Sequence, residues 1–224
     1  MPNKIQYERK LMHIQPIGAA FFVTWRLHGS LPKEVYQQLR LRFDTEGKSI
    51  RQLPFPKERN EQLFALRKRQ FQAIDNELDK GSAKDICNIS DPILATIIKD
   101  QLHRFDKSLY NLLAYCIMPN HVHLILDTAV QLSDEMIYKD DTSKYKQLES
   151  ILHRIKGASS RYINLSLGRS GKLWQEESYD IYIRNEIMLR NVISYVLDNP
   201  VKAGLSKSWD DYPHSYLKDY NPSH

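Results

Sequence analysis

Two histidines separated by one residue open an apolar run in the stretch Met118-Pro119-Asn120-His121-Val122-His123-Leu124-Ile125-Leu126. Proline and asparagine favour turns, so the pattern predicts two strands joined by a short reversal, the first over residues 112–118. Successive side chains of a strand point to opposite faces, which puts His121 and His123 on the same face. The opposite face is purely apolar and predicts core, which holds the register. The two imidazoles are therefore a candidate metal pair.

The spacing of the two histidines is a weak signal when taken alone. Histidine is the commonest metal ligand in proteins, yet most histidines bind no metal. A half-exposed or hydrogen-bonded pair at a strand end is the more common case, and two ligands alone make a weak site. A third ligand has to come from elsewhere in the chain.

Length and composition narrow the class of protein. A chain of 224 residues can bury one sizeable core, as one domain or as a domain with extensions. No apolar run approaches the roughly 18 residues of a membrane span, and residues 1–7 lack a signal-peptide core, so we expect a cytoplasmic protein. The two cysteines, Cys87 and Cys116, form no Cys-x-x-Cys pattern, which argues against a disulfide framework and a zinc ribbon.

The charge of the chain is concentrated in one segment. The formal net charge is +5, whereas residues 144–172 contain seven Lys or Arg and one Glu, a local charge of +6. An excess of positive charge makes an anionic partner plausible, although a basic run is more often a solvated face. The segment becomes a candidate nucleic-acid surface only if phosphate chemistry lies beside it.

Hydrophobic periodicity predicts an α+β protein. Residues 19–28 are rich in aromatic and β-branched side chains and predict a strand, with Arg26 and His28 at the polar end of one face. Three scaffold helices are expected over residues 32–43, 60–80 and 91–105. Residues 127–142 are polar and acidic and predict a mobile loop. A long helix over residues 148–162 carries the basic excess on its outer face.

The C-terminal third contains a short helix with a tyrosine at its margin. Asn185 is a candidate N-cap, and Pro200 is expected to stop the helix near Asp198. At 100° per residue, Tyr195 and a still-helical Asn199 would lie roughly 40° apart on the helix. The chain has 13 tyrosines, so this one is not singled out by its position alone.

Three blocks of the sequence, taken in this order, resemble the REP-associated tyrosine transposases, which belong to the single-tyrosine HUH transposases. The resemblance runs from about residue 20 to residue 212. The blocks are Met118-Pro119-Asn120-His121-Val122-His123, Leu173-Trp174-Gln175 and Ile193-Ser194-Tyr195-Val196-Leu197-Asp198-Asn199-Pro200-Val201-Lys202-Ala203-Gly204-Leu205. The resemblance implies a ferredoxin-like antiparallel sheet flanked by helices. We expect one domain over residues 1–224 with an additional helical insertion at about 32–106.

The resemblance also implies the roles of individual residues. His121 and His123 correspond to the metal ligands, Asn199 to a third ligand of amide type, and Tyr195 to the nucleophile. Mixed nitrogen and oxygen ligation suits Mg²⁺ or Mn²⁺ rather than zinc. Lys156 is a candidate for assisting the phenol or the leaving oxygen. The expected DNA contacts are Arg26, Arg154, Arg161, Trp174 and Lys202.

The implied activity is cleavage and rejoining of single-stranded DNA beside a hairpin. Attack by the tyrosine leaves a 5′-phosphotyrosine and a free 3′-hydroxyl, which conserves the bond for a later joining step. Bases of a single strand can also stack on aromatic rings such as Trp25 or Trp174. The expected protein is cytoplasmic and nucleoid-associated, and acts as a monomer or a homodimer.

Three other functions compete with this interpretation. A domesticated DNA-binding module of the same fold would keep the basic groove without cutting DNA. A replication initiator or relaxase-like HUH nuclease usually brings further domains, for which this chain has no room. A phosphate-handling metabolic enzyme is disfavoured because the sequence lacks a Gly-rich phosphate loop.

Overall fold

The computed structural model describes residues 4–9, 11–81, 87–139 and 141–219. The strands in this part of the chain are β1 (Lys4–Arg9), β2 (Leu11–Pro16), β3 (Ala20–Arg26), β4 (Asn111–Ile117), β5 (His121–Asp127), β6 (Tyr179–Tyr182) and β7 (Ser215–Leu217). The helices are α1 (Lys33–Arg51), α2 (Pro56–Lys80), α3 (Pro92–His103), α4 (Asp134–Lys139), α5 (Leu148–Ser166) and α6 (Glu186–Lys202).

A five-stranded antiparallel sheet forms the centre of the fold. Its strand order is β6-β3-β5-β4-β7, while β1 and β2 pair separately as a two-stranded sheet. If β3, β4, β5 and β6 are counted as the first to fourth strands along the chain, they lie side by side in the sheet as fourth, first, third and second. Helix α3 lies in the connection from β3 to β4, and α5 lies in the connection from β5 to β6. This is the ferredoxin-like arrangement, and it confirms the predicted fold class.

The two faces of the sheet bury different partners. Val122, Leu124 and Leu126 belong to a core shared with the apolar sides of α3 and α5. Ile125 lies on the other face with Phe22 and packs into a second core that includes residues of α6 and Phe71 of α2. The strand alternation predicted from the sequence is therefore confirmed, and the histidine face looks toward α6 and α2.

The first two helices are longer than the sequence pattern indicated. Helix α1 does not end near Phe43 but continues to Arg51, and α2 begins at Pro56 rather than at Asn60. Gly47 lies within α1, where a Cβ atom would stand 3.4 Å from the side chain of Leu66. At that distance a Cβ atom would be in ordinary van der Waals contact, so the packing of the two helices does not require a glycine here. Helix α3 packs on the sheet, whereas α1 and α2 share a separate apolar cluster that includes Phe43 and Leu66.

The acidic connection after β5 contains regular secondary structure, whereas the sequence predicted a mobile loop. A 3₁₀ turn spans Thr128–Gln131 and helix α4 follows. The Asp127 carboxylate accepts a hydrogen bond from the Ala129 amide at 2.9 Å and caps the turn. Asp140, within the predicted loop, lies outside the described residues. Local capping therefore outweighs the polar composition that predicted a loop.

Pro200 does not stop the last helix. It lies inside α6, which ends at Lys202 and is followed by Gly204 at φ +69°. A proline in the last turn removes only one backbone hydrogen bond of the helix. Asn199 therefore stays helical, one turn after Tyr195.

No helix in the described part of the chain is both long and apolar enough to cross a membrane.

Candidate active site

The two predicted histidines form a tight pair on the floor of a buried site. Their Nε2 atoms are 2.9 Å apart, and their rings meet edge to face with centroids 4.6 Å apart. His121 is 1% exposed and His123 is 0% exposed. The alternation of β5 sets both rings on the same face, because their side chains are two positions apart.

Neighbouring polar groups orient both rings. The Asn120 amide donates to the Leu78 carbonyl at 2.8 Å, so its oxygen is left to accept from His121 Nδ1 at 2.6 Å. With the proton on Nδ1, His121 presents the lone pair of Nε2 to the site. Thr24 lies opposite His123 in the sheet register, and its hydroxyl is 2.7 Å from Nδ1 of that ring. A hydroxyl can donate or accept, so it accommodates either tautomer of His123.

A carboxylate from the insertion completes the group. Asp75 Oδ1 lies 3.6 Å from Nε2 of His121 and 3.5 Å from Nε2 of His123. This oxygen is buried and has no hydrogen-bond partner among the residues that the structure describes. Asp75, His121 and His123 could therefore hold a metal ion. An ion about 2 Å from each of the three atoms fits between them, close to usual metal–ligand distances.

Sequence reasoning missed Asp75, although a signal was present. The residue interrupts the apolar stripe of α2, four positions after Phe71 and three before Leu78. A carboxylate on the buried side of a helix is rare unless it is paired or binds a metal. The stripe alone could not tell which strand the carboxylate would meet.

Burial controls the charge of the metal-binding group. Burial, and next the neighbouring His123, lower the pKa of His121, while burial and the charge of Lys202 lower the pKa of His123. Burial raises the pKa of Asp75, and the nearby His121 acts in the opposite direction. Both imidazoles are thus neutral at pH 7, which is the form that binds a metal.

The tyrosine and the asparagine of α6 reach the same site. The Tyr195 hydroxyl donates a hydrogen bond to Asp75 Oδ2, and its ring centroid is 5.8 Å from that of His123. Burial, followed by the negative charge of Asp75, raises the pKa of the phenol. Asn199 is 1% exposed, and its amide donates to the Tyr195 carbonyl at 2.7 Å. Lys202 places its amine 4.8 Å above the Tyr195 ring.

A cavity of about 90 Å³ borders the group and includes Thr24, Arg26 and Asp75 in its lining. Arg26 lies opposite His121 in the sheet register, so both side chains project from the same face. Its guanidinium bonds weakly to Ser30 Oγ at 3.3 Å and lies 5.4 Å from the centroid of the Tyr36 ring. Burial lowers the pKa of this guanidinium. A desolvated cation therefore stands at the wall of the cavity.

Two of the predicted site residues are engaged elsewhere. The Lys156 amine donates to the carbonyls of Gln175 and Glu176, both at 2.9 Å, and to Ser178 Oγ at 3.0 Å. Its face of α5 packs on this segment, so its donors are directed there and not to the phenol of Tyr195. Burial lowers the pKa of Lys156 to about 8.

Trp174 is also unavailable for the role expected of it. It is 7% exposed, its indole NH donates to Ser159 Oγ at 3.0 Å, and its ring packs edge to face on Trp25. Trp25 is itself 1% exposed. Neither ring can stack on a DNA base in this conformation, because both belong to the core between β3 and α5.

The remaining predicted DNA contacts lie on the surface. Arg154 and Arg161 are exposed on α5, and Lys202 is exposed at the end of α6. Only Lys202 of these three is adjacent to the site residues. The structure thus brings His121, His123, Tyr195 and Asn199 together, adds Asp75, and leaves the two arginines on a separate helix.

Comparison with known proteins agrees with the resemblance drawn from the sequence. A curated protein of Haemophilus influenzae named as a REP-associated tyrosine transposase is 26% identical over 108 residues. The match covers 47% of this chain and 58% of that relative, which is less than two thirds of its length. A solved structure of a REP-associated tyrosine transposase bound to a REP hairpin matches 94% of this chain and 81% of that chain, at 18% identity and a TM-score of 0.46. No family model matches the chain.

Proposed function

We propose that this protein is a metal-assisted DNA endonuclease and transposase of the HUH type, which cleaves and rejoins single-stranded DNA beside a hairpin. The observation that carries the proposal is the meeting of a phenol with two buried neutral imidazoles, joined through one carboxylate. A phosphodiester is anionic and repels nucleophiles, so a site that cleaves it must neutralise charge around the phosphorus. The resemblance and the curated relative point to the same chemistry.

His121 and His123 would hold a divalent ion, with an oxygen from Asp75 or Asn199 as a further ligand. The lone pair of Nε2 on His121 and the unpartnered Oδ1 of Asp75 fit such an ion. A donor set of nitrogen and oxygen atoms suits Mg²⁺ or Mn²⁺. The ion would neutralise charge on the non-bridging oxygens of the phosphate.

Tyr195 is the proposed nucleophile. Its phenol oxygen attacks phosphorus and loses its proton, the bond from phosphorus to the 3′-oxygen breaks, and that oxygen takes up a proton. The products are a 5′-phosphotyrosine and a free 3′-hydroxyl, so the reverse reaction can join another strand. An ordinary tyrosine with a pKa near 10 is ionised in only about one molecule in a thousand at pH 7, a deficit of roughly 4 kcal/mol, and burial and Asp75 raise the pKa of Tyr195 further. A positive site beside the phenol offsets part of it.

Arg26 and the exposed basic residues provide the proposed contacts to DNA. Arg26 stands at the cavity wall beside His121 and can donate to a phosphate oxygen. Arg154 and Arg161 lie on the helix that carries the local positive charge, and Lys202 flanks the tyrosine. Lys156 has a supporting role in this scheme, since it fixes residues 175–178 at the rim of the cavity.

The substrate would be single-stranded or hairpin DNA, because a tyrosine on a helix needs an unpaired backbone for in-line attack. The hairpin is proposed because the three sequence blocks resemble those of REP-associated tyrosine transposases. A chain that acts on DNA in this way would work in the cytoplasm, beside the nucleoid. The protein would act as a monomer or a homodimer.

Covalent trapping tests the nucleophile. The DNA strand is labelled at its 3′ end, since that fragment becomes attached to the protein, and is incubated with Mn²⁺ before denaturing electrophoresis. We expect a labelled adduct with the wild-type chain and none with Tyr195→Phe. Tyr138→Phe is the matched control, because Tyr138 is 90% exposed, and it should form the adduct.

Two results would contradict the proposal. Equal adduct formation by Tyr195→Phe would remove the assigned nucleophile. Hairpin binding that survives chelation of metals, with no adduct from the wild-type chain on any hairpin tested, would favour the alternative of a DNA-binding module that does not cut.

A further inference from the structure

We propose that Asp75 is a catalytic residue that holds the reacting hydroxyl: one carboxylate oxygen binds the phenol of Tyr195 while the other faces the imidazole pair. The helical insertion would then be part of the active site and not an appendage to it. This inference rests on the proposed function and deepens it, because it assigns a catalytic task to α2, which the sequence pattern predicted only as a scaffold helix.

The two oxygens of Asp75 have different surroundings. Oδ2 accepts the hydrogen bond from the Tyr195 hydroxyl. Oδ1 is buried without a hydrogen-bond partner among the described residues, and the two Nε2 atoms lie 3.5 and 3.6 Å from it. Buried polar atoms are nearly always satisfied, so an orphan directed at two ligand atoms indicates a site for a cation. One carboxylate therefore spans the space between nucleophile and metal ligands.

Contacts on both sides of Asp75 fix its position. One turn earlier, Phe71 packs edge to face on His123 and Tyr195, with centroids 6.2 and 5.9 Å away. Three residues later, the carbonyl of Leu78 accepts from the Asn120 amide, which in turn orients His121. Helix α2 is thus registered against β5 and α6 at once. These contacts hold the backbone of Asp75 within reach of both the phenol and the imidazoles.

Positioning of this kind has a direct effect on the reaction. A flexible tyrosine would sample many orientations, whereas a hydroxyl held beside the metal ligands starts close to the geometry of attack. The cavity that would admit the phosphate is lined by Asp75 itself, together with Thr24 and Arg26. Tyr195 and the two histidines do not line this cavity, so Asp75 is the residue that connects it to the reacting hydroxyl.

Asp79 provides a matched control on the same helix. It lies one turn after Asp75, is half-buried, and also has a buried oxygen without a hydrogen-bond partner in the described part of the chain. It is not one of the residues that could hold the metal ion. Replacing it removes the same charge from nearly the same place, without touching the reacting hydroxyl.

The experiment compares Asp75→Asn, Asp75→Glu and Asp79→Asn with the wild-type chain. Three quantities are measured: the single-turnover rate of adduct formation with Mn²⁺, the affinity for Mn²⁺ without DNA, and the affinity for the hairpin in EDTA. We expect Asp75→Asn to slow adduct formation and weaken Mn²⁺ binding by roughly 10- to 100-fold, the usual effect of losing a group that supports a metal site. Hairpin affinity should stay within about twofold of wild type.

The two other variants test whether the effect is specific to the carboxylate at position 75. Asp75→Glu should recover part of the rate, and Asp79→Asn should remain near wild type in all three measurements. If Asp75→Asn misfolds, as judged by its Tm, the decision falls to Asp75→Glu: a lowered rate with retained hairpin affinity supports the proposal, and a wild-type rate contradicts it.

Adduct formation by Asp75→Asn at the wild-type rate or faster, with unchanged Mn²⁺ affinity, would overturn the inference. The carboxylate would then only pack the tyrosine in a closed state, and the proposed function would be unaffected. Absence of any adduct from the wild-type chain is a different result, since it would remove the proposed function and this inference with it.

Discussion

Asp75 and Tyr195 are 120 positions apart in the chain, yet the phenol of one donates a hydrogen bond to the carboxylate of the other. The contact joins the helical insertion to the last helix directly above the histidine pair. Because one partner is a carboxylate in a largely buried site, the bond belongs to the stronger class of hydrogen bonds. It should therefore be visible in stability as well as in activity.

A double-mutant cycle measures that contact. We expect Asp75→Ala and Tyr195→Phe to show a coupling of about 1–3 kcal/mol in the free energy of unfolding, because each variant alone leaves a partner unsatisfied. Urea unfolding in EDTA gives the four free energies without a contribution from bound metal. Strictly additive effects would show that the two side chains do not stabilise each other.

Metal binding should stabilise the fold. At a free Mn²⁺ concentration one hundred times the Kd, linkage gives about 2.7 kcal/mol, which corresponds to a rise in Tm of roughly 5–10 °C for a chain of this size. The shift should vanish in His121→Ala and His123→Ala and be reversed by EDTA. His153→Ala is the control, since His153 is exposed on α5. An equal shift in all variants would place the ion elsewhere.

Asp79 should give the stability a pH dependence. Burial, followed by the charge of Asp75, raises the pKa of Asp79 to about 6, so the folded state favours its protonated form. Its ionisation opposes folding, and the free energy of unfolding should fall as the pH rises from about 4 to about 6. In Asp79→Asn the free energy of unfolding should not show this fall. We expect its Tm to match wild type near pH 4 and to exceed it at pH 7.

The size of that effect is limited because Asp79 is only half-buried. Solvent screening reduces the gain at pH 7 to about 1 kcal/mol or less. Thermal unfolding in EDTA at several pH values is the measurement. A difference between variant and wild type that does not change with pH would contradict the assignment.

Phe71 should be the side chain on which the position of α2 depends most. Its ring stacks on Tyr179 at 4.2 Å and meets Phe22, His123 and Tyr195 edge to face. We expect Phe71→Ala to lower the free energy of unfolding by about 3–5 kcal/mol, the usual effect of a large aromatic deletion in a core. Phe55→Ala, at a ring 67% exposed, should change it by less than about 0.5 kcal/mol.

The basic face of α5 should contribute to affinity for DNA rather than to chemistry. Replacing Arg154 and Arg161 by alanine removes two phosphate contacts, which should reduce the slope of log K against log salt by roughly 1.4 for a single strand. The rate of adduct formation at saturating DNA should be unchanged. Arg40→Ala is the control, as Arg40 is exposed and paired with Asp44 on α1. An unaltered slope of log K against log salt would show that the DNA does not contact these two residues of α5.

Local patterns explain what could be predicted. The alternation around His121 and His123 and the helical spacing of Tyr195 and Asn199 depend on residues within a few positions of one another, and the structure brings these four side chains together. Two predictions were wrong because a local interaction outweighed the residue preference on which each was based. Pro200 is tolerated near a helix end, and Asp127 caps a turn that composition alone predicted as a mobile loop.

Long-range packing explains the rest. Lys156 and Trp174 have the right chemistry for a DNA enzyme, but their partners in the fold lie 19 and 15 positions away and hold them out of the site. Asp75 is the opposite case, since an acidic residue within an apolar stripe finds its partners 46 and 48 positions further along, at the histidines. Nothing near it in the sequence indicates that encounter.

The amino-acid sequence by itself determined the strand that carries the histidines, the face on which the two imidazoles lie and the helix that carries the tyrosine, because backbone periodicity and burial of apolar side chains act locally. Only the tertiary structure decided that the insertion folds back over that face and delivers a carboxylate between the imidazoles and the phenol. The docking of α2 depends on the shapes of several distant surfaces at once, and no single stretch of the chain encodes that geometry.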